Sequence, residues 1–348
     1  MRRLNKSGFR SDSPSKRKRA ARRILGSIII FGLIATICYT WWSPVPASLV
    51  MRAAFHQGNA VAPENYAELE QRVSVVKDLC YSSKYQDNYA DIYIPSDREG
   101  PFPVVLWVHG GAFVGGSKAD VEIYATALAA EGMAVVCMNY RRAPEAHYPT
   151  PLVQTEEAYL WLNDIAELYG LDIDRLVLAG DSAGAHIVAQ FAAIQSNTDY
   201  ADEMGFSQAV PLHSMKAVLL FCGPFDAAKI SVDNHAVINF FIDRAAWAYL
   251  GTKGFSEHLI EQATISNHVT NNFPPTFITD GNHLSFGEHG RELAEVLKGR
   301  DVLVETYFIP TDTEKIGHEY QFIMNTAAGR ESFQAVVNFL GKYTDEGA

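Results

Sequence analysis

The sequence predicts an α/β fold, a mostly parallel sheet of eight strands with helices on both faces, and three observations carry that reading. Strand-like and helix-like patterns alternate from about residue 73 to residue 342, as a parallel sheet with crossover helices requires. The chain has 348 residues of 48% hydrophobic composition, enough to bury one large core. The apolar run Leu176-Val177-Leu178-Ala179 leads directly into Gly180-Asp181-Ser182-Ala183-Gly184 and a helical pattern, the layout of a sharp strand-to-helix turn.

The N-terminus differs in composition from everything after it. Residues 1–23 hold ten Lys or Arg and one acid, Asp12, which leaves 19 basic and 39 acidic side chains in the remainder, a net of −20. So acidic a body argues against nucleic acid as a partner, because phosphate contacts need a cationic footprint. The basic arm (1–23) is expected to stay cytoplasmic, and the nearly continuous apolar stretch 24–42 to cross a bilayer as a single anchor. Tyr39, Trp41 and Trp42 fall where an interfacial aromatic belt would lie, and this orientation puts the rest of the chain outside the cytoplasm. A cleaved signal peptide is the rival reading, but the segment offers no convincing small-x-small cleavage site.

Residues 43–71, with Pro44, Pro46 and a polar stretch from Gln57 to Glu64, read as a linker that ends in a short helix near Tyr66 to Val73. From 72 to 345 the chain reads as one domain. Strands are predicted at Val73 to Tyr81, Tyr89 to Ile94, Pro103 to Val108, Ala134 to Asn139, Arg175 to Ala179, Ala217 to Cys222, Thr276 to Asp280 and Val302 to Ile309. Helical patterns fall at Val121 to Glu131, Val153 to Leu168, Ala183 to Gln195, Gly287 to Lys298 and Ala328 to Lys342. One interval breaks the rhythm. About fifty residues, 224–273, stand where a single crossover helix is due, and they include Phe240-Phe241 and the aromatic segment from Trp247 to Leu250. An insertion there sits above the carboxyl ends of the strands, so it is expected to act as a cap over a ligand site.

Ser182 is the candidate nucleophile, since flanking glycines give its turn the room a side chain would fill. The pentapeptide alone decides nothing, because about one random chain in ten of this size contains it. Support comes from His109-Gly110-Gly111-Ala112-Phe113, which follows the strand Val104 to Val108. Backbone N–H groups of such a loop can converge on a developing oxyanion, so Gly110, Gly111 and Ala112 are assigned to that hole together with Ala183. Gly115-Gly116-Ser117-Lys118 is not a phosphate loop, because its Ser precedes its Lys. His318, after the last strand and before the last helix, is the candidate general base. His56, His235, His258 and His289 have no motif support. Cys38, Cys80, Cys137 and Cys222 show no zinc spacing and read as small buried hydrophobes, so neither a metal nor a cofactor is expected.

His109-Gly110-Gly111, Asn139-Tyr140-Arg141 with Ala143-Pro144-Glu145, Gly180 to Gly184 and Gly317-His318-Glu319 stand in the order and approximate spacing of a known group. The chain resembles the hormone-sensitive-lipase-like carboxylesterases of the α/β-hydrolases over about residues 72 to 342. That resemblance implies the α/β-hydrolase fold, Ser-His-Asp chemistry and a cap built from N-terminal residues and an insertion after the sixth strand. Two positions depart from the pattern. Ala112 replaces a glycine but keeps its N–H, whereas Leu284 stands where the family's acid aligns and cannot accept a proton from His318.

The acid must then come from elsewhere. Asp280, at the end of the seventh strand, is the first candidate, with Asp226 and Glu288 as alternatives. Asp280 could instead serve the turn at Gly281, and Glu288 could be a favourable charge in the first turn of its helix. The expected activity is that of a serine carboxylesterase acting on small or short-acyl esters through an acyl-enzyme, with a small-molecule ester as its partner. The alternative is a membrane-tethered ligand-binding protein on the same fold with little or no catalysis, as the gibberellin receptors of this branch are.

Overall fold

The computed structural model describes residues 14–55, 58–231 and 235–345. The chain divides into two compact units, Met1–Pro46 and Ala47–Ala348. In the first unit, α1 (Pro14–Tyr39) runs through the second half of the basic arm and the apolar segment, with Ile28, Ile29, Ile30 and Phe31 exposed. The first half of that arm lies outside the described residues.

Among the described residues no helix is long and apolar enough to cross a membrane, which corrects the expected span at 24–42. The apolar stretch spans two different local structures. Helix α1 ends at Tyr39, so only Ile24 to Tyr39 follow its last arginine, about 24 Å at 1.5 Å per residue against a hydrocarbon core of about 30 Å. Trp41 and Trp42 sit in the turn beyond.

The second unit is built on an eight-stranded sheet of order β1-β2-β4-β3-β5-β6-β7-β8. It opens within α2 (Val45–Ala54), from Ala47 on, followed by α3 (Tyr66–Glu70), continues through β1 (Val73–Cys80), β2 (Tyr89–Pro95) and β3 (Phe102–Val108), and reaches α4 (Glu122–Ala130) and β4 (Ala134–Met138). Then come α5 (Thr150–Tyr169), β5 (Leu171–Asp181), α6 (Ala183–Ser196), α7 (Thr198–Met204) and β6 (Met215–Phe221). The last stretch is α8 (Ala236–Leu250), α9 (Glu257–Ala263), β7 (Thr276–Asp280), α10 (Gly287–Lys298), β8 (Val304–Phe308) and α11 (Ala327–Thr344). Strands β1 and β2 pair antiparallel, as do β2 and β4, and all other neighbours are parallel.

The central strands are buried on both faces, which is why they read as continuous apolar runs rather than alternating ones. Along β3, Val104, Leu106 and Val108 enter the core on one side, while Val105 and Trp107 enter the core on the other. Each fully buried aliphatic side chain of this kind contributes about 1.5 to 3 kcal/mol. The edge strand β1 is different: most of its residues are half-buried or exposed, and its register with β2 shifts between Val76 and Leu79, around the left-handed Asp78 (φ 59°).

The segment read as a linker holds a helix. Pro46 is tolerated in the first turn of α2, where its missing N–H has no intrahelical partner to lose, and Ala47 and Met51 present one buried face four residues apart. Arg52 pins that helix to the body: its Nε donates to Val114 O at 2.7 Å, Nη2 to Ala143 O at 2.8 Å, and the guanidinium grips both oxygens of Glu145 at 2.9 and 2.8 Å.

The insertion after β6 forms α8 and α9. The second half of α8 is held firmly: Tyr249 stacks on Phe113 at 3.9 Å, its carbonyl accepts from Tyr148 N at 2.7 Å, and Ala248 O lies 2.8 Å from His147 Nδ1. The first half, through Ile242, is half-buried or exposed.

Candidate active site

Ser182 stands between β5 and α6 with φ 51° and ψ −119°, a conformation that few residues adopt without support. The support is close packing. A Cβ on Gly184 would lie 2.0 Å from Val108 O, so only glycine lets α6 approach β3 this closely. Ser182 N donates to Phe221 O at 2.7 Å, and Ser182 itself is 8% exposed at the floor of a cavity.

His318 Nε2 lies 2.9 Å from Ser182 Oγ. Burial lowers the imidazole pKa below its ordinary value, opposed by the nearby Asp280, so the ring is neutral and able to accept a proton near neutrality. On the other side of the ring, Nδ1 lies 2.7 Å from Ser285 Oγ, and that hydroxyl in turn donates to Asp280 Oδ1. Asp280 thus reaches the histidine through a serine rather than directly. It is 1% exposed, and burial raises its pKa, with His318 and Ser285 opposing.

The two alternative acids stand apart from this chain of contacts. Asp226 accepts from Ala228 N at 2.9 Å, as the cap of a single turn, and pairs with Lys229 at 3.4 Å. Glu288 is exposed in the first turn of α10. Leu284, in the place where a family acid was expected, has φ 50° and forms part of the cavity wall.

The loop after β3 turns through three successive left-handed residues, Gly111 (φ 107°), Ala112 (φ 52°) and Phe113 (φ 63°). Among the described residues, the N–H groups of Gly111, Ala112 and Ala183 donate to no protein acceptor. Gly110 does: its N–H is given to Asp181 Oδ2 at 2.8 Å, so it is not available to an oxyanion and leaves the proposed set. Sequence alone cannot say which way a loop N–H points.

That contact leads to a feature the sequence reading missed. Asp181 also accepts from Trp107 Nε1 at 2.8 Å, and its charge is coupled to that of the carboxyl of Glu319, the residue after His318. Both acids crowd Gly110, where a Cβ would stand 2.3 Å from Asp181 Oδ2 and 2.9 Å from Glu319 Oε1. Burial is the largest cause that raises both pKa values, and the neighbouring charge adds to it on Asp181, so two ionised carboxyls side by side are disfavoured here. The signal for it was an acid inside each of two motifs, next to an apolar strand in one case and the histidine in the other.

The cavity above Ser182 has a volume of about 420 Å³. Val50, Met51 and Ala54 of α2 and Ile238, Phe241 and Ile242 of α8 give it apolar walls, while Ser182, His318 and Glu319 line its floor. Ligating atoms of Cys222, Asp280 and His318 lie within 4.8 Å of one another, the only such grouping among the described residues. They do not suit a metal: both ring nitrogens of His318 are engaged by serines, and burial keeps the Cys222 thiol protonated.

Comparison with known proteins agrees with this geometry. Residues 90–285 match the family model described as BD-FAE. The carboxylesterase NlhH of Mycobacterium tuberculosis is 30% identical over 224 residues, which cover 63% of this chain and 68% of that protein. A probable carboxylic ester hydrolase of the same organism, LipM, is 27% identical over 207 residues, 59% of this chain, and the chain spans about half of LipM's length, 47%. The crystal structure of esterase B from Lactobacillus rhamnosis superposes with a TM-score of 0.70 at 20% identity, covering 90% of this chain and 95% of that one, a likeness of fold. The chain belongs to the BD-FAE family and, with it, to the hormone-sensitive-lipase-like carboxylesterases of the α/β-hydrolase fold.

Proposed function

We propose that the protein is a serine carboxylesterase that hydrolyses small or short-acyl esters through an acyl-enzyme. The observation that carries the reading is the 2.9 Å contact between Ser182 Oγ and His318 Nε2, set in a floor where three N–H groups are uncommitted. His318 takes the proton of Ser182 as Oγ attacks the ester carbonyl. The N–H groups of Gly111, Ala112 and Ala183 receive the charge on the carbonyl oxygen, and they are held by a backbone already fixed in the required conformation. The imidazolium then gives its proton to the departing alkoxide. Water, deprotonated by the same ring, releases the acid from Ser182.

Carboxylic ester hydrolysis is also what the names of NlhH and LipM describe, which supports carrying this class of reaction to the present chain. The apolar walls and a volume of about 420 Å³ favour a short, uncharged acyl group. A purely ligand-binding role gains nothing from a serine and a histidine in bonding contact, so that reading is not favoured.

Hydrolysis of 4-nitrophenyl butyrate and labelling by a fluorophosphonate test the reading together. Wild-type protein turns over the ester and labels at Ser182, while Ser182→Ala loses both, by at least about 10³-fold in turnover. Unchanged turnover in Ser182→Ala would sink the assignment.

A further inference from the structure

We propose that Ser285 is the positioning residue that couples Asp280 to His318, so that the site works as a Ser182–His318–Ser285–Asp280 relay in place of a direct acid–histidine contact. The proposal rests on the reading of His318 as general base for Ser182. Three consecutive contacts make up the relay: Ser182 Oγ to His318 Nε2 at 2.9 Å, His318 Nδ1 to Ser285 Oγ at 2.7 Å, and Ser285 Oγ to Asp280 Oδ1.

The hydrogen count along this line fixes its direction. An ionised Asp280 can only accept, so the single hydroxyl hydrogen of Ser285 goes to it. Ser285 Oγ then has only lone pairs to offer Nδ1, which must carry the ring hydrogen. Nε2 is left bare and faces the hydroxyl of Ser182, which is the tautomer that general-base catalysis needs. Reversed, Ser285 would donate to Nδ1, a protonated Asp280 would donate to Ser285, and Nε2 would already hold a hydrogen. The charge on Asp280 therefore selects the tautomer through one intervening hydroxyl. During reaction the proton of Ser182 moves to Nε2 and no proton reaches Asp280. The imidazolium keeps Nδ1–H on Ser285, whose dipole, aligned by the carboxylate, stabilises the positive ring.

The surroundings suit this role. Asp280 closes β7, Ser285 lies five residues on, and the left-handed Leu284 between them turns the loop so that the hydroxyl faces back to the strand end. Phe286 meets the His318 ring edge-on at 5.6 Å and limits its rotation. The ionisable groups around Asp280 are His318, Cys222 and Glu319, and the Cys222 thiol is kept neutral by burial. His318 is thus the group among them that can balance Asp280, and it does so only once it has taken the proton of Ser182; the Glu319 carboxyl faces the same ring, with Oε1 3.7 Å from Nε2. This arrangement accounts for Leu284 standing where the family's acid aligns, because the histidine's partner is a serine one residue later.

The experiment measures steady-state hydrolysis of 4-nitrophenyl butyrate from pH 5 to 9 by Ser285→Ala, Ser285→Val, Ser285→Thr and Asp280→Asn, with thermal unfolding as a check of the fold. Ser285→Val is included because its bulk keeps water from standing in for the lost hydroxyl. The relay predicts a fall in kcat of about 10- to 100-fold in the Ala and Val variants with KM within about twofold, and recovery of most of the loss in the Thr variant. It also predicts that the acidic limb of the kcat profile moves to lower pH in both, because the imidazolium loses its stabilising partner. In the double variant Asp280→Asn with Ser285→Ala, turnover should match Asp280→Asn alone, since both break one line. Folded Ser285→Val with wild-type kcat and pH profile would overturn the relay, as would full additivity of the two losses. If Ser182→Ala or His318→Ala still turned over the ester, the esterase reading would fail instead, so the two failures are distinguishable.

Discussion

The floor of the cavity and its roof are held by different means. The floor is backbone in close contact: Gly184 against Val108, Ser182 N on Phe221 O, and three left-handed residues in the loop after β3. The roof is side chains laid on that floor. Helix α2 is tied by one guanidinium, and α8 is clasped at its C-terminal half while Ile238, Phe241 and Ile242 hang from the less buried half. Precision is needed below and tolerance is allowed above. An error of about 1 Å in the floor misplaces the nucleophile against the oxyanion donors, whereas the same error above changes which acyl group fits.

The largest effect is expected at Gly184. Gly184→Val should leave no room for α6 on β3, and chemical denaturation should show a loss of about 4 kcal/mol or more, or no folded protein. If the variant folded with normal stability, the close packing ascribed to the floor would be wrong. A smaller and different effect is expected above. Arg52→Ala should cost about 1 to 3 kcal/mol through the lost charge-assisted hydrogen bonds, and raise KM for short esters several-fold with kcat nearly held. A fall in kcat with KM unchanged would mean that α2 governs the chemistry rather than the fit.

The smallest effect sharpens the floor itself. Asp181 and Glu319 both have folded pKa values above their unfolded ones, so the stability they contribute is full in acid and is lost as pH rises through the folded values. Glu319→Gln removes one of the two ionisations. The decline in melting temperature from about pH 5 toward 8 should therefore be shallower in the variant than in the wild type. Parallel curves would show that the two carboxyls do not raise each other's pKa values.

Much of the floor was legible in the sequence because it is written in local patterns. Thr276 to Asp280 and Gly287 to Lys298 match the expected bounds to the residue, since β-branched and aromatic residues between Pro275 and Gly281 mark the strand and an amphipathic period marks the helix. Ser182 and His318 were legible through the company they keep. The parts that stayed hidden depend on side chains far apart in the chain. Helix α2 hid behind Pro44 and Pro46, although Pro is at home in a first turn. Asp280 was named, but Ser285 was not, because nothing local marks a serine as the one that a loop turns toward a histidine 33 residues later. Gly110 was counted among the oxyanion donors because the motif supplies an N–H without its direction, and the buried Asp181 that claims it could be found only in three dimensions.

The irregular edge strand has a consequence for how the molecule meets copies of itself. A sheet of this kind would otherwise present β1 as an open row of donors and acceptors on which another strand could add. The register shift between Val76 and Leu79 breaks that row in the middle. Lys77 and Asp78 make up the break and are already engaged, by Glu122 at 2.7 Å and Lys118 at 2.9 Å. An incoming strand would have to lose its register at the bulge and displace two ion pairs, so this edge of the sheet resists edge-to-edge pairing while the catalytic end is left untouched.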